Sequence, residues 1–444
     1  MTALPALLIA AVGLDLFGNA AGLELTYAGR MTPVAVAEGD AAEKGFKVSW
    51  TLQDSKGDDA DALFLLTEDA AAQPWPARFG FCSPSRPDDA GPQIGYRFDD
   101  RDHTVPLPGM ISLHADRLAT EREVVDGPMR YTVTGEKEVQ GRDCLIVETS
   151  TNFGRETVSA VDKSTGMIVT WEQPVVLGRG DRFLLSLELT KSVSFDAPRA
   201  ERRRAIADAL REIAKIVGQG DRDAAADLPG ESIKVLSDHL KSLTGLVKDT
   251  SFESFAAAIA RNVDEQRTRA DGIAGLTEKI VGSPAPALDL KGLDGKPIDA
   301  ALLDGKVVIL HFWEYDRAEL APPYGQVGYL DFLHRRRAEE GVSVIGVATN
   351  PAFGIPEARG KAVRSAKGLV EFMNLGYPVA ADDGSLLRRF GDTRPLGARL
   401  PLWVVIDAEG IVRGFNSGLY DVQPNDGLKE LDANAVELTK RRNK

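Results

Sequence analysis

Val281 to Trp313 reads VGSPAPALDLKGLDGKPIDAALLDGKVVILHFW. Its closing run, Val307 to Phe312, is apolar apart from His311. Such a run cannot stay in water and reads as a strand buried on both faces. Working outward, the pattern predicts a helix from about Pro322 to Arg337 and a second apolar strand over Val342 to Ala348. A helix over Ala362 to Asn374 and a short strand over Tyr377 to Ala381 come next. Leu402 to Asp407 and Ile411 to Phe415 flank Ala408-Glu409-Gly410, which reads as a tight hairpin turn, and a last helix is expected over Asn425 to Lys440. The order β-α-β-α-β-β-α predicts a mixed sheet with helices on both faces.

Five short motifs recur along this stretch: Gly282-x-Pro284-Ala285-Pro286, Leu293-Asp-Gly-Lys296, Asp304-Gly-Lys306, Phe312-Trp313 and Arg399-Leu400-Pro401. In that order and at those distances, residues 281–423 resemble the TlpA-type thiol–disulfide oxidoreductases and the wider redoxin (AhpC/TSA) group, all of thioredoxin fold. The resemblance covers about a third of the chain. It implies that Pro401 is a cis-proline facing an active-site loop. It also implies a Cys-x-x-Cys shortly after Phe-Trp, opening a helix whose positive end stabilises a thiolate. This sequence departs from the family there. The counterpart is Ala321-Pro322-Pro323-Tyr324, reached after the extra residues Glu314 to Leu320, and residues 284–444 contain no cysteine. Neither dithiol exchange nor peroxide reduction is open to this segment alone.

Trp313, Glu314, Asp316, Arg317, Glu319 and Tyr324 crowd the same loop, with His311 in the strand before it. A carboxylate beside Arg or Tyr suits acid–base chemistry. No nucleophile–base pair and no metal-ligand spacing emerges, however, so the loop reads as an acidic, aromatic recognition surface. Arg335-Arg336-Arg337 reads as a solvated helix end.

The chain has 444 residues, 53 Lys+Arg against 66 Asp+Glu and two cysteines. That length predicts more than one domain, and the two cysteines exclude a disulfide-dense scaffold and a four-cysteine zinc site. The charge of −13 is uneven. Residues 1–196 hold 18 basic and 30 acidic side chains, a net of −12. This balance argues against nucleic acid as a partner. The expected organisation is a signal peptide over 1–22, an acidic β-rich domain over 23–196, a helical linker over 197–280 and a thioredoxin-like domain over 281–444. The fold class is therefore multidomain α+β.

Leu4 to Ala21 is apolar, ends in small residues and is too short for a comfortable membrane span. It reads as a signal-peptide core cleaved near Ala20 or Ala21. Against this, no Lys or Arg precedes Arg30, and Asp15 interrupts the run. The alternative is a first strand or helix buried in the fold. No other stretch is long and apolar enough to span a bilayer.

In the first domain, Lys47 to Leu52, Met129 to Val133, Cys144 to Glu148 and Arg182 to Leu189 alternate as strands. Asp162 to Gly166 joins Thr157–Val161 to Met167–Trp171 as a hairpin. An antiparallel sheet, curved into a half-barrel, is expected. The run TGEKEVQGRDCLIVETSTNFGRETVSAVDKSTGMIVTWE loosely resembles the hairpins of bacterial lipoprotein-carrier-like β domains. Cys82 and Cys144 are either a disulfide, stabilising by roughly 4 kcal/mol in the chain-entropy model, or two unrelated thiols. Asp99-Asp100-Arg101-Asp102-His103 and Asp58-Asp59-Ala60-Asp61 read as acidic turns rather than cation sites, since Arg101 repels a cation and no glycine makes the sharp turn.

In the middle, Asp196 caps a helix with Ile206, Leu210, Ile213 and Val217 on one face. A second helix carries Ile233, Leu236, Leu240 and Leu243, and Thr250-Ser-Phe-Glu253 matches a capping box for a third. Arg202-Arg203-Arg204 reads as a solvated face.

The functional expectation is an exported cell-envelope protein whose thioredoxin-like domain has lost its redox chemistry and has a binding or scaffold role toward a protein or ligand. One alternative is a thiol–disulfide or peroxiredoxin-like enzyme using Cys82 and Cys144, and another is a carrier of an apolar ligand in the β domain. No cofactor or metal is expected.

Overall fold

A computed structural model describes residues 20–35, 41–53, 62–69, 74–85, 91–99, 101–218, 228, 230–314, 326–423 and 426–442. Most of the stretch Leu4 to Ala21, the run Asp58 to Asp61 and residue Asp100 lie outside them. The chain forms two compact units, residues 1–266 and 267–444.

The first unit carries β1 (Gly22–Ala35), β2 (Lys44–Gln53), β3 (Ala62–Glu68), β4 (Phe79–Cys82), β5 (Gln93–Phe98) and β6 (Arg101–Pro106). After α1 (Ala115–Glu121) come β7 (Glu123–Asp126), β8 (Met129–Val139), β9 (Arg142–Thr151), β10 (Gly154–Asp162), β11 (Ile168–Leu177) and β12 (Asp181–Phe195). Ten of these strands form one antiparallel sheet in the order β4-β3-β2-β1-β12-β11-β10-β9-β8-β7. The outermost strands in sequence, β1 and β12, are neighbours at its middle. The β10–β11 turn places Gly166 at φ 70°, where a side chain would be strained. The Asp162 carboxylate closes that turn by accepting from the Ser164 and Thr165 amides.

Alternation sends Leu25, Tyr27, Trp50, Phe183, Leu185 and Leu187 into one core, joined by Ile94 and Tyr96 of the β5–β6 hairpin. The opposite face of β3 and β4 packs Leu63, Leu65 and Phe79 against the helices. This explains why Ala62 to Leu66 is continuously apolar rather than alternating.

α2 (Ala197–Val217), α3 (Gly230–Val247) and α4 (Glu253–Ile280) follow. The Asp196 carboxylate accepts from the Arg199 amide at 3.0 Å and caps α2. The stripes on Ile206 to Val217, Ile233 to Leu243 and Phe252 to Val263 share one core with β3 and β4. The region expected as a linker thus helps to close the first unit's sheet, and the division between units falls inside α4. The capping box is displaced. Asp249 turns to φ 58°, so Glu253 reaches back to the Asp249 amide instead of that of Thr250.

Arg203 corrects the expectation of a solvated helix face. Its guanidinium is 2.7 Å from Glu24, whose side chain is 4% exposed, and lies between the Phe195 and Phe252 rings. At the β5–β6 turn, Asp102 pairs with Arg97 at 3.4 Å and the His103 ring packs near Phe98.

The second unit holds β13 (Val307–Trp313), α5 (Val327–Arg337), β14 (Val342–Thr349), α6 (Pro356–Phe372), β15 (Val379–Asp382), α7 (Ser385–Phe390), β16 (Leu402–Ile406), β17 (Val412–Ser417) and α8 (Lys429–Arg442). The sheet order is β15-β14-β13-β16-β17. β13, β14 and β15 are parallel, β16 runs antiparallel to them, and β17, antiparallel to β16, runs in their direction again. β13 and β14 are buried at every position because both faces are covered. Ile309, Trp313, Trp403 and Val405 face α5, α6 and α8. Leu310, Phe312, Val404 and Phe390 form the other core.

Several boundaries move from their expected places. α6 opens at Pro356, where a proline fits the first turn, and α8 opens at Lys429. The six-residue α7 is too short to show a helical period. Arg337 is not a solvated helix end: it forks onto Asp432 of α8 at 2.6 and 2.8 Å and onto Glu340 at 2.8 Å.

Candidate functional site

The end of β13 and the loop before β16 bring the predicted residues Trp313, Glu314 and Pro401 into the second unit's sheet region. Trp313 is 3% exposed and closes the strand, so Glu314 is the first residue to emerge into water. The Leu400–Pro401 peptide is cis, and the Pro401 carbonyl accepts from the Gly418 amide at 2.8 Å. Asp316, Arg317, Ala321 and Tyr324 lie outside the described residues, as do Glu319 and the start of the expected helix at Pro322.

The loop from Gly391 to Pro401 supplies residues that sequence reading passed over. Arg394 holds Asp392 through two side-chain bonds of 2.9 and 2.7 Å and lies 3.8 Å from the Glu314 carboxylate. Burial by itself would push the Asp392 carboxyl up, but the Arg394 side chain and backbone amide hold it below the usual range. Asp392 and Glu314 in turn raise the Arg394 guanidinium. Thr393, fully buried, shares a 3.1 Å hydroxyl contact with Ser417. The only available signal was the Gly391-Asp-Thr-Arg-Pro395 cluster just upstream of Arg399-Leu-Pro, which has the composition of a turn.

Behind this rim the floor is aromatic and closed. His311 is fully buried and stacks on Trp403 with ring centroids 4.0 Å apart, so it faces the core instead of the loop. The Trp403 indole donates to the Gly418 carbonyl at 2.8 Å and meets Tyr420 edge-on at 5.3 Å. Gln326, at the start of α5 with φ 66°, pairs its carboxamide with the backbone of Tyr420. Burial, with Glu430 adding, pushes the Tyr420 hydroxyl up to about 12, so it stays protonated at neutral pH.

The arrangement is a fixed charged rim, Asp392–Arg394–Glu314, beside a cis-proline loop. Among the described residues no group of three His, Cys, Asp or Glu side chains is placed to hold a metal ion. Neither cysteine is near this rim in sequence. Among the described residues there is no disulfide: Cys82 on edge strand β4 and Cys144 on β9 are separate buried thiols, seven strands apart along the sheet. Of the two readings of this pair, the structure has the separate thiols. Burial, with the Asp162 carboxylate adding, raises the Cys144 thiol and disfavours its thiolate.

The family model described as the AhpC/TSA family matches residues 281–415. The C-terminal part is a thioredoxin-like redoxin domain. The redoxin domain is also similar to Protein DipZ of Mycobacterium bovis and of Mycobacterium tuberculosis, each 33% identical over 147 residues. That match covers 31% of this chain and 19% of each DipZ chain, so this protein spans about a fifth of the length of those relatives. Among solved structures, a thiol:disulfide interchange protein of Chlorobium tepidum is 24% identical and covers 36% of this chain and 97% of its own, with a TM-score of 0.27. A secreted disulfide oxidoreductase of Mycobacterium tuberculosis is 21% identical and covers 34% and 94%, with a TM-score of 0.25. The redoxin assignment rests on the family match and the strand order, not on these superpositions. No helix among the described residues is long and apolar enough to cross a membrane.

Proposed function

We propose that the redoxin domain is a redox-silent binding module of an exported protein, and that it recognises a partner protein at the surface around Glu314, Arg394 and Pro401. One observation carries this reading: both cysteines precede residue 145, and the redoxin domain contains none. Dithiol exchange needs two thiols within bonding reach at the active-site loop. The AhpC/TSA family match supports descent from redox enzymes. The locked Arg394–Asp392 pair beside Glu314 offers a preorganised polar edge, the kind of feature that lowers the cost of ordering on binding. Export is supported by the apolar stretch Leu4 to Ala21.

The competing reading uses Cys82 and Cys144, but both are buried and the Cys144 thiol is raised. Insulin reduction and peroxide consumption by the full chain separate the two. No turnover above buffer is expected from the wild type, Cys82→Ser or Cys144→Ser. Wild-type turnover that disappears in either serine variant would overturn the binding-module reading.

A further inference from the structure

A cavity of about 410 Å³ opens in the first unit between the ends of β1 and β12, the first turns of α2 and the α3–α4 turn. Its lining includes Lys191, Arg199, Arg202 and Arg203, against the acids Glu24 and Asp249. The balance is two positive charges in a protein whose net charge is −13.

Arg203 is the centre of this cluster. One of its nitrogens pairs with Glu24, and Ser251 donates to the same carboxylate oxygen at 3.0 Å. The Phe195 and Phe252 rings lie 5.3 and 5.4 Å from its guanidinium carbon and fix its plane. Its Nη1 is buried and has no hydrogen-bond partner among the described residues. A buried guanidinium donor without an acceptor is costly and uncommon in native proteins. Arg202 is held from behind, because it donates to the Leu246 and Lys248 carbonyls. Arg199 and Lys191 are exposed at the mouth.

We propose that this cavity binds a phosphomonoester with a hydroxylated organic body. The phosphate oxygens accept from Arg203 Nη1, Arg199 and Lys191, which together match a doubly charged group. Glu24 and Asp249 would repel a bare polyanion but accept from hydroxyl groups on the body. The cavity is also larger than a bare phosphate requires. The phosphate belongs either to a free metabolite or to a lipid headgroup.

Calorimetry of the full chain at low salt with glycerol 3-phosphate and with inorganic phosphate tests this, together with sedimentation on phosphatidylcholine vesicles containing phosphatidic acid. Glycerol 3-phosphate should bind more tightly than phosphate. The double variant Lys191→Gln/Arg199→Gln should lose at least fivefold in affinity at an unchanged thermal midpoint, since both side chains are exposed. Co-sedimentation that the double variant loses assigns the phosphate to a headgroup, and soluble binding without co-sedimentation assigns it to a metabolite. No binding by any probe, or a loss smaller than fivefold, overturns the proposal. Arg203→Lys, which keeps the charge but not Nη1, should weaken binding similarly; retained affinity in that variant also overturns it.

Discussion

Gln326→Ala removes the carboxamide that ties the start of α5 to Tyr420. In the wild type Oε1 accepts from the Tyr420 amide at 3.0 Å, and Nε2 donates to its carbonyl at 2.5 Å. Gln326 is 1% exposed, so water does not readily replace it. A net intramolecular hydrogen bond contributes about 1 kcal/mol, and each buried group left unsatisfied costs about 1–3 kcal/mol. Losing the pair should therefore cost about 2–6 kcal/mol. Backbone strain separates this explanation from simple loss of packing. Gln326 sits at φ 66°, a conformation that costs a non-glycine residue roughly 1 kcal/mol. Gln326→Gly loses the same two bonds but relieves that strain, so it should be about 1 kcal/mol less destabilised than Gln326→Ala. Urea unfolding followed by tryptophan fluorescence checks this, because the Trp403 ring lies 5.3 Å from that of Tyr420. Hydrogen exchange in the peptide around Tyr420 should speed up in both variants. An alanine variant within about 0.5 kcal/mol of wild type would refute the reasoning, since the two bonds alone exceed that. So would a glycine variant less stable than the alanine one.

Asp407 accepts from the Glu409 and Ile411 amides and pairs with Arg413 at 2.5 Å. Burial pushes its carboxyl up, but these partners hold it below the usual range, so its stabilisation is complete above the unfolded value near 4 and fades as pH falls through the lower folded value. Asp407→Asn should cost about 1–3 kcal/mol at neutral pH, with the gap to wild type closing under acid; a gap that widens on acidification would contradict this. Asp196→Ala removes the cap on α2 and should lower stability by about 1 kcal/mol in the same unfolding experiment, while Asp196→Asn should restore most of it. Ellman's reagent should label neither Cys82 nor Cys144 in the native protein and both in concentrated guanidinium; rapid native labelling of either would contradict their burial.

Apart from the short α7, the second unit was legible because its elements declare themselves locally. Val307 to Trp313 and Val342 to Thr349 are apolar over their whole length, as only strands covered on both faces can be. The turn at Gly410 and the hairpin at Gly166 need positive φ, and glycine marks both. The helix stripes from Ile206 to Val263 were likewise visible, but not what they cover, because a stripe shows that a face is buried without naming its partner. The same limit hid Arg394 and Asp392. Nothing in a turn-like run indicates that its arginine returns to the end of a strand some eighty positions earlier.

The sequence by itself determined the order of the strands and longer helices of the second unit, the redoxin character of residues 281–415 and the absence of cysteine from that domain. These follow from periodicity within about ten residues and from residue identity. Tertiary structure decided which distant residues meet. It placed β1 beside β12, buried Arg203 against Glu24, put Cys82 and Cys144 on strands that do not meet, and turned Arg337 onto Asp432. Each of these depends on how segments tens to hundreds of residues apart cross, and within the sheets a one-residue slip in register would reverse the face of every side chain on the strand.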